Sequence, residues 1–267
     1  MIVAVLGAGK IGAAVAFSIS KSKEVTKVIA TKRNIATLKE LRSTKIEVTQ
    51  DNAAAARKAD LIVIAVKAGD AKHLLEQIAQ YTTNKIVISL MAAVTVERLE
   101  RALPKAKVVR AMPNIAALIG EAVTAYSVGR KVTDADKETV RSILGSFGDH
   151  IEVPESLLNP VTALSGSGPA YIAVLIEAMV SAGLKVGIPR DIAFKLVTKT
   201  LTGTADLLSQ KGMHPAELRD AVTTPAGTTI AGIYELEKGS IRTSIMNAVE
   251  AATLAGEKVA KKFETEG

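Results

Sequence analysis

The 267-residue chain has no cysteine, no tryptophan and only three histidines. Without cysteine there is no disulfide, no thiolate nucleophile and no Cys-based metal site to consider. Aromatic residues make up 3% of the chain, which argues against single-strand nucleic-acid binding, where bases stack on aromatic rings. The net charge is +7, yet no basic run is longer than a pair or triplet. That charge suits a small anionic ligand rather than a nucleic-acid groove. The N-terminus carries no basic, apolar and small-residue leader, since Ile2 already opens a strand-like run; a cytoplasmic, soluble protein is expected. The most apolar stretch, Ala170 to Leu184, is shorter than the ~20 residues of a membrane span, so no membrane partner is expected.

What remains is a chain that is 48% hydrophobic and 23% charged, which is globular composition, and its length suits two domains. With few aromatics, the core has to be built from Ala, Val, Ile and Leu. Ile2 to Leu6 is a short apolar run of the kind buried on both faces of a parallel sheet. It leads directly into Gly7-Ala8-Gly9-Lys10-Ile11-Gly12 and then an Ala-rich helix to about Ser20. Between a strand and a helix, G-x-G-x-x-G is a dinucleotide fingerprint. Gly7 makes the turn, Gly9 admits the pyrophosphate, and Gly12 lets helix pack on strand. The phosphates would rest on the amides that open the helix.

A second strand, about Lys27 to Ala30, ends in Thr31-Lys32-Arg33-Asn34. NAD-binding units place an acid there for the ribose 2′-hydroxyl. Two cations stand in its place, which favours a 2′-phosphate and hence NADP(H). Strand-like runs recur at Ile46–Thr49, Leu61–Val66, Lys85–Leu90 and Lys107–Ala111, separated by helical patterns. This alternation predicts a Rossmann-type, doubly wound parallel sheet with ligands beyond the carboxyl ends of its strands. Those ends carry Val66-Lys67, Ala92-Ala93 and Met112-Pro113-Asn114. Small side chains at Ala92 and Ala93 would let a flat ring lie on the backbone. A strand near Val123–Val128, a helix from about Asp134 to Phe147 and a strand at His150–Pro154 complete this half.

After Pro154 the pattern is all-helical, predicting domains at 1–154 and 155–267. Ser165-Gly166-Ser167-Gly168-Pro169 reads as a glycine turn before a helix whose only charge is Glu177. A helix apolar on nearly all sides has to be buried on nearly all sides. Thr224-Pro225-Ala226-Gly227-Thr228-Thr229 leads into a further helix, where the amides of Gly227 to Thr229 could hold an anion. The same stretch is equally compatible with an ordinary N-cap by Thr223 or Thr224. The three histidines lie outside both stretches.

Taken together, Ala65-Val66-Lys67, Arg110-Ala111-Met112-Pro113-Asn114, Ser165 to Tyr171, Gly187-Ile188-Pro189-Arg190 and Thr224 to Ile230 resemble the pyrroline-5-carboxylate reductases. The resemblance implies NAD(P)H-dependent reduction of 1-pyrroline-5-carboxylate to L-proline, the last step of proline biosynthesis. It implies that Gly7, Ala8, Gly9, Lys10, Ile11 and Gly12 hold the pyrophosphate. Thr31, Lys32, Arg33 and Asn52 would hold the adenosine end; Val66, Lys67 and Ala92 would lie on the nicotinamide-ribose side, and Asn114 would also bind the cofactor. Glu155, Gly227, Thr228 and Thr229 would contact substrate, with Thr229 and Lys67 nearest the chemistry. The family pairs through its helical half, which implies a homodimer or a larger homo-oligomer. The chain departs from the family pattern at Ala68-Gly69, Ile115-Ala116, Ala93 and Ala221. A β-hydroxyacid dehydrogenase shares the two-domain plan, but carries a catalytic Lys on the central helix where Ala170 to Leu184 has none. A protein that binds NADP(H) without turning it over is the reading from another class.

Overall fold

The structure, a computed structural model, describes residues 1–34 and 45–265. They form two compact units, Met1–Ser167 with Ala251–Gly267, and Gly168–Glu250. The first unit is built on an eight-stranded sheet of order β3-β2-β1-β4-β5-β6-β7-β8. Its strands are β1 (Ile2–Leu6), β2 (Lys27–Thr31), β3 (Ile46–Thr49), β4 (Leu61–Ile64), β5 (Ile86–Ser89), β6 (Lys107–Met112), β7 (Ala122–Val128) and β8 (Gly148–Glu152). The helices between them are α1 (Lys10–Lys21), α2 (Asn52–Lys58), α3 (Ala71–Ile78), α4 (Val96–Ala102) and α5 (Asp134–Gly145).

Alternation along the strands sorts the core into two layers, as a two-unit side-chain period requires. Val3, Val5, Val63 and Ile88 pack with Val15 and Ile19 of α1 and with Ile143 and Leu144 of α5. Ala4, Leu6, Ile62, Ile64 and Val87 pack with Leu74, Ile78 and Leu99 of α3 and α4. The chain winds from β1 outward to β3, then returns to place β4 on the other side of β1. Leu6 is therefore flanked by Thr31 and by Ile64. This reversal of strand order opens a crevice at the carboxyl end of β1.

The sheet departs from the all-parallel expectation at one edge. β7 runs antiparallel to β6, and β8 is parallel to β7. The connection from β6 to β7 is a single turn of 3₁₀ helix, Ile115–Ile119, whereas a parallel crossover needs about a dozen residues or more. Chain length between strands decides their sense here.

The turn expected at Ser165–Pro169 is instead a widened helical turn. A 3₁₀ turn at Glu155–Leu157 leads into α6 (Leu158–Val161), a π-helical turn at Thr162–Gly166, and α7 (Gly168–Lys185). The Ser167 amide reaches Thr162 O, five residues back, at 2.9 Å. A π turn is rare and costs helix geometry, so it is more often kept for function than for stability. The helical run Glu155–Lys185 spans 31 residues and contains an 18-residue window of mean hydropathy 1.4, long and apolar enough to cross a membrane by length and composition. Length alone therefore does not exclude a span, contrary to the sequence argument.

In the second unit α7 is followed by α8 (Arg190–Lys211), α9 (Pro215–Ala221) and α10 (Thr228–Lys238); α11 (Ile241–Thr265) begins here. Its core is small: Val180, Ala193 and Val197, with Ile176, Ile188 and Leu201 against them. Gly183 sets that contact, since a Cβ there would lie 2.9 Å from the Ala193 Cβ. The expected burial of α7 is not met within one chain. Val180 is its only buried residue, and Ile172, Val174 and Met179 are exposed.

Candidate active site

At the end of β1, Gly7 takes φ +95°, a region L side chains rarely enter. Its amide donates to Thr31 O and Thr31 Oγ1, each at 3.2 Å, which pins the turn to β2. A Cβ at Gly7 would stand 2.5 Å from Val66 Cγ1, and one at Gly12 would stand 2.3 Å from Gly7 O. A Cβ at Gly9 would meet nothing within 4 Å. Two glycines are thus required by packing, while the position of the middle one faces open space. Gly9 is also the N-cap of α1 and offers no side-chain cap. The first-turn amides of Lys10, Ile11 and Gly12 have no intrahelical acceptor. Ala8 differs from its neighbours: it is fully buried and its amide is committed to Thr31 O at 2.7 Å. It shapes the turn from inside and has no donor left for a phosphate.

A cleft of about 640 Å³ opens at this turn. It gathers Gly7, Gly9, Thr31, Lys32, Arg33, Asn52, Val66 and Lys67, all expected from sequence, and adds Asp70, His73 and Gln77 among others. A directed hydrogen-bond chain lines the wall. Thr31 Oγ1 donates to Asn52 Oδ1 (2.6 Å), and Asn52 Nδ2 donates to Gln77 Oε1 (3.2 Å). Gln77 Nε2 then meets His73 Nε2 at 2.9 Å. Asp51 caps α2 by accepting from Ala54 N at 2.8 Å, which presents Asn52 at the helix start. His73 and Gln77 went unnoticed in the sequence; their i,i+4 spacing on α3 puts them on one face, and that spacing was the available signal.

Lys32 is half-buried and Arg33 exposed at the cleft mouth, with no acid at the end of β2. Ala92 and Asn114 do not line this cleft. Ala92 is exposed after β5, while Ala93 sits at φ +64° with its methyl buried, so only Ala92 presents a small surface outward. Asn114 caps the 3₁₀ turn after β6, accepting from Ala116 N at 3.1 Å, and keeps its amide NH₂ for other use.

Glu155 is held from both sides. Its Oε1 accepts from Val96 N (2.7 Å) and from Arg110 Nη1 (3.1 Å). The Arg110 guanidinium is only 3% exposed and also donates from Nη2 to Asn159 Oδ1 at 3.1 Å. The carboxylate therefore compensates a buried charge and the start of α4 at once. Any contact it makes with substrate is left to Oε2.

In the second unit the helix start at Gly227 also lacks a side-chain cap. Thr223 Oγ1 donates back to Arg219 O at 2.6 Å, so it caps nothing ahead of it. The Gly227 amide is spent on Thr224 O at 3.0 Å, so the open donors are those of Thr228, Thr229 and Ile230, one residue later than expected. Ala226 holds the turn at φ +55°. Of the other histidines, His150 packs edge-on against Tyr126 and His214 caps α9 through Nδ1.

The strand order, the open glycine and the uncapped helix start define a Rossmann-type dinucleotide-binding protein. The family description "Pyrroline-5-carboxylate reductase dimerisation" matches residues 155–259, and "NADP oxidoreductase coenzyme F420-dependent" matches residues 2–93. The chain is 39% identical to a pyrroline-5-carboxylate reductase of Methanosarcina acetivorans, covering 96% of this chain and 97% of that one. A Synechocystis pyrroline-5-carboxylate reductase is 38% identical over 82% of each chain. Among solved structures, a Plasmodium falciparum pyrroline carboxylate reductase with NADP bound superposes at TM-score 0.88 with 30% identity, covering 97% of this chain and 98% of that one. The chain belongs to the pyrroline-5-carboxylate reductase family.

Proposed function

We infer that the protein reduces 1-pyrroline-5-carboxylate to L-proline with NAD(P)H, NADPH being preferred. The observation that carries this is the cleft itself: a phosphate turn beside a cation pair, on a chain matched by such reductases along nearly its whole length. The bound cofactor supplies a hydride; everything else falls to side chains and amides of this chain. The amides of Lys10, Ile11 and Gly12 hold the pyrophosphate, and Lys32 and Arg33 hold the 2′-phosphate. Thr31 and Asn52 fix the adenosine wall, while Val66, Lys67, Ala92 and Asn114 attend the nicotinamide and its ribose.

The substrate is a cyclic imine with a carboxylate. Its protonated C=N is already electrophilic, so positioning matters more than a strong acid or base. We assign the carboxylate to the amides of Thr228, Thr229 and Ile230, and a hydrogen bond to the ring nitrogen to Thr229 Oγ1. That hydroxyl would hold the nitrogen's proton in place while the ring carbon accepts hydride and the nitrogen becomes an amine. Glu155 contributes through its free oxygen and by holding Arg110. NADPH consumption at 340 nm on adding pyrroline-5-carboxylate tests the reading; a dinucleotide-binding protein without turnover would leave the absorbance flat.

We further propose that residues 155–267 act as the helical substrate and pairing domain, with Glu155 as its first residue, where the matched family region also begins. A cytoplasmic homodimer is the minimum unit, closed by a two-fold axis and free to assemble further. The support is apolar surface: Val174 is 65% exposed and Val186 75% exposed, beside exposed Ile172 and Phe194. Apolar patches of that kind mark contact sites. Light scattering should report a dimer or a multiple of it, and Val174→Lys should split it. An active monomer at nanomolar concentration would refute the pairing.

A further inference from the structure

One ion pair in the cleft is not explained by binding a phosphate. Arg33 Nη2 stands 3.5 Å from Asp70 Oδ2, and both residues line the cleft. Arg33 follows β2, and Asp70 precedes α3 on the β4 side; β2 and β4 flank β1 on opposite sides. The pair thus reaches across the mouth. Asp70 occupies the N-cap position of α3, where an aspartate normally accepts from the helix amides, yet its side chain caps nothing. Its carboxylate is turned to Arg33. The two side chains are 93% and 50% exposed, so the pair adds little to stability.

We propose that Asp70 sets cofactor selectivity, an inference that rests on the dinucleotide reading of this cleft. In this arrangement a 2′-phosphate held by Arg33, carrying close to two negative charges, would come within a few ångströms of Asp70. Asp70 is either displaced or stays and repels, and each costs NADPH affinity. With NADH the same carboxylate can accept from the ribose 2′-hydroxyl, the role that an acid at the end of β2 usually fills and that this strand end lacks. Lys32 and Arg33 favour NADPH; Asp70, from the facing wall, moderates that preference and keeps NADH usable.

The experiment is Asp70→Asn in the full chain, with fluorescence titration of NADPH and NADH. Asn is an equivalent N-cap, so the melting temperature should stay where it is. NADPH should bind about three- to tenfold tighter while NADH is unchanged or weaker, and the shift should shrink in about 0.5 M salt as the charges are screened. Glu76→Gln makes the same net-charge change at an exposed site on α3 outside the cleft, and should leave the ratio alone. An unchanged ratio in Asp70→Asn, weaker NADPH binding, or an equal shift in Glu76→Gln would overturn the proposal. If the wild-type protein binds neither dinucleotide, the reading of the cleft falls and the proposal with it.

Discussion

Adding one methyl group at Gly9 or at Gly12 should have opposite consequences, although the two lie three residues apart in one turn. At Gly12 the new Cβ would meet the Gly7 carbonyl at 2.3 Å and the Ala65 Cβ at 3.0 Å, both in the turn and strand that α1 rests on. Neither neighbour is the end of a flexible side chain, so α1 would have to lift from the sheet. Overpacking of this kind costs about 1–3 kcal/mol. For a chain of this size that lowers the melting temperature by roughly 2–8 °C. At Gly9 the backbone has φ −72° and ψ −158°, which alanine adopts freely, and the Cβ meets nothing within 4 Å. The fold should lose under about 1 kcal/mol, the difference between Gly and Ala at an N-cap. Its methyl would stand where the pyrophosphate approaches, and NADPH affinity should fall at least about tenfold, equivalent to ~1.4 kcal/mol. Thermal melting and NADPH fluorescence on both variants give the comparison. Gly9→Ala binding NADPH like the wild type would refute the assignment of the turn, whatever Gly12→Ala does.

Replacing Lys32 and Arg33 together with Ala should weaken NADPH by about 1–3 kcal/mol in steady-state KM or titration and leave NADH nearly unchanged, since charge-assisted contacts to the 2′-phosphate are lost at an exposed site. Thr229→Val should lower kcat by about ten- to a hundredfold through the missing hydrogen bond to the ring nitrogen while NADPH binding stays intact. Stability should fall in acid. Burial opposes ionisation of Asp136, but hydrogen bonds from Lys107 and Thr133 outweigh it and hold the carboxyl below its usual value. A group depressed in the fold stabilises above its unfolded value and loses that contribution as pH drops through the folded one. Denaturant melts should therefore weaken progressively below about pH 4, and Asp136→Asn should cost about 1–2 kcal/mol at neutral pH and flatten that acid limb.

Features whose cause is local were legible in the sequence. The β1 strand, the glycine turn and α1 are specified within residues 2–21, and Gly7 and Gly12 sit where the turn and the helix–strand contact leave no room for a side chain. The same holds for the cation pair after β2. Features set by distant partners were not. The sense of β7 depends on the short connection before it rather than on its own residues. The Gly227 amide is spent within a turn whose conformation rests on Ala226 at φ +55°, which composition does not announce. The wall formed by Asn52, Gln77 and His73 joins residues from two helices that only the sheet brings together. The Ser165–Pro169 stretch reads as a turn because of its glycines, yet five-residue hydrogen bonding carries the helix through it. For α7, an apolar helix required a partner surface that one chain does not supply, since Val180 alone is buried on it.

In the proposed reaction, hydride passes from the dinucleotide in this cleft to the C=N carbon of pyrroline-5-carboxylate. Incubating the protein with substrate and NADPH deuterated on the transferring face of nicotinamide C4, then weighing the amino acid formed, measures that transfer directly. The expected result is proline carrying one deuterium on the carbon next to nitrogen, in step with NADPH consumed. Proline without deuterium, or NADPH bound but not consumed while substrate is present, would contradict it.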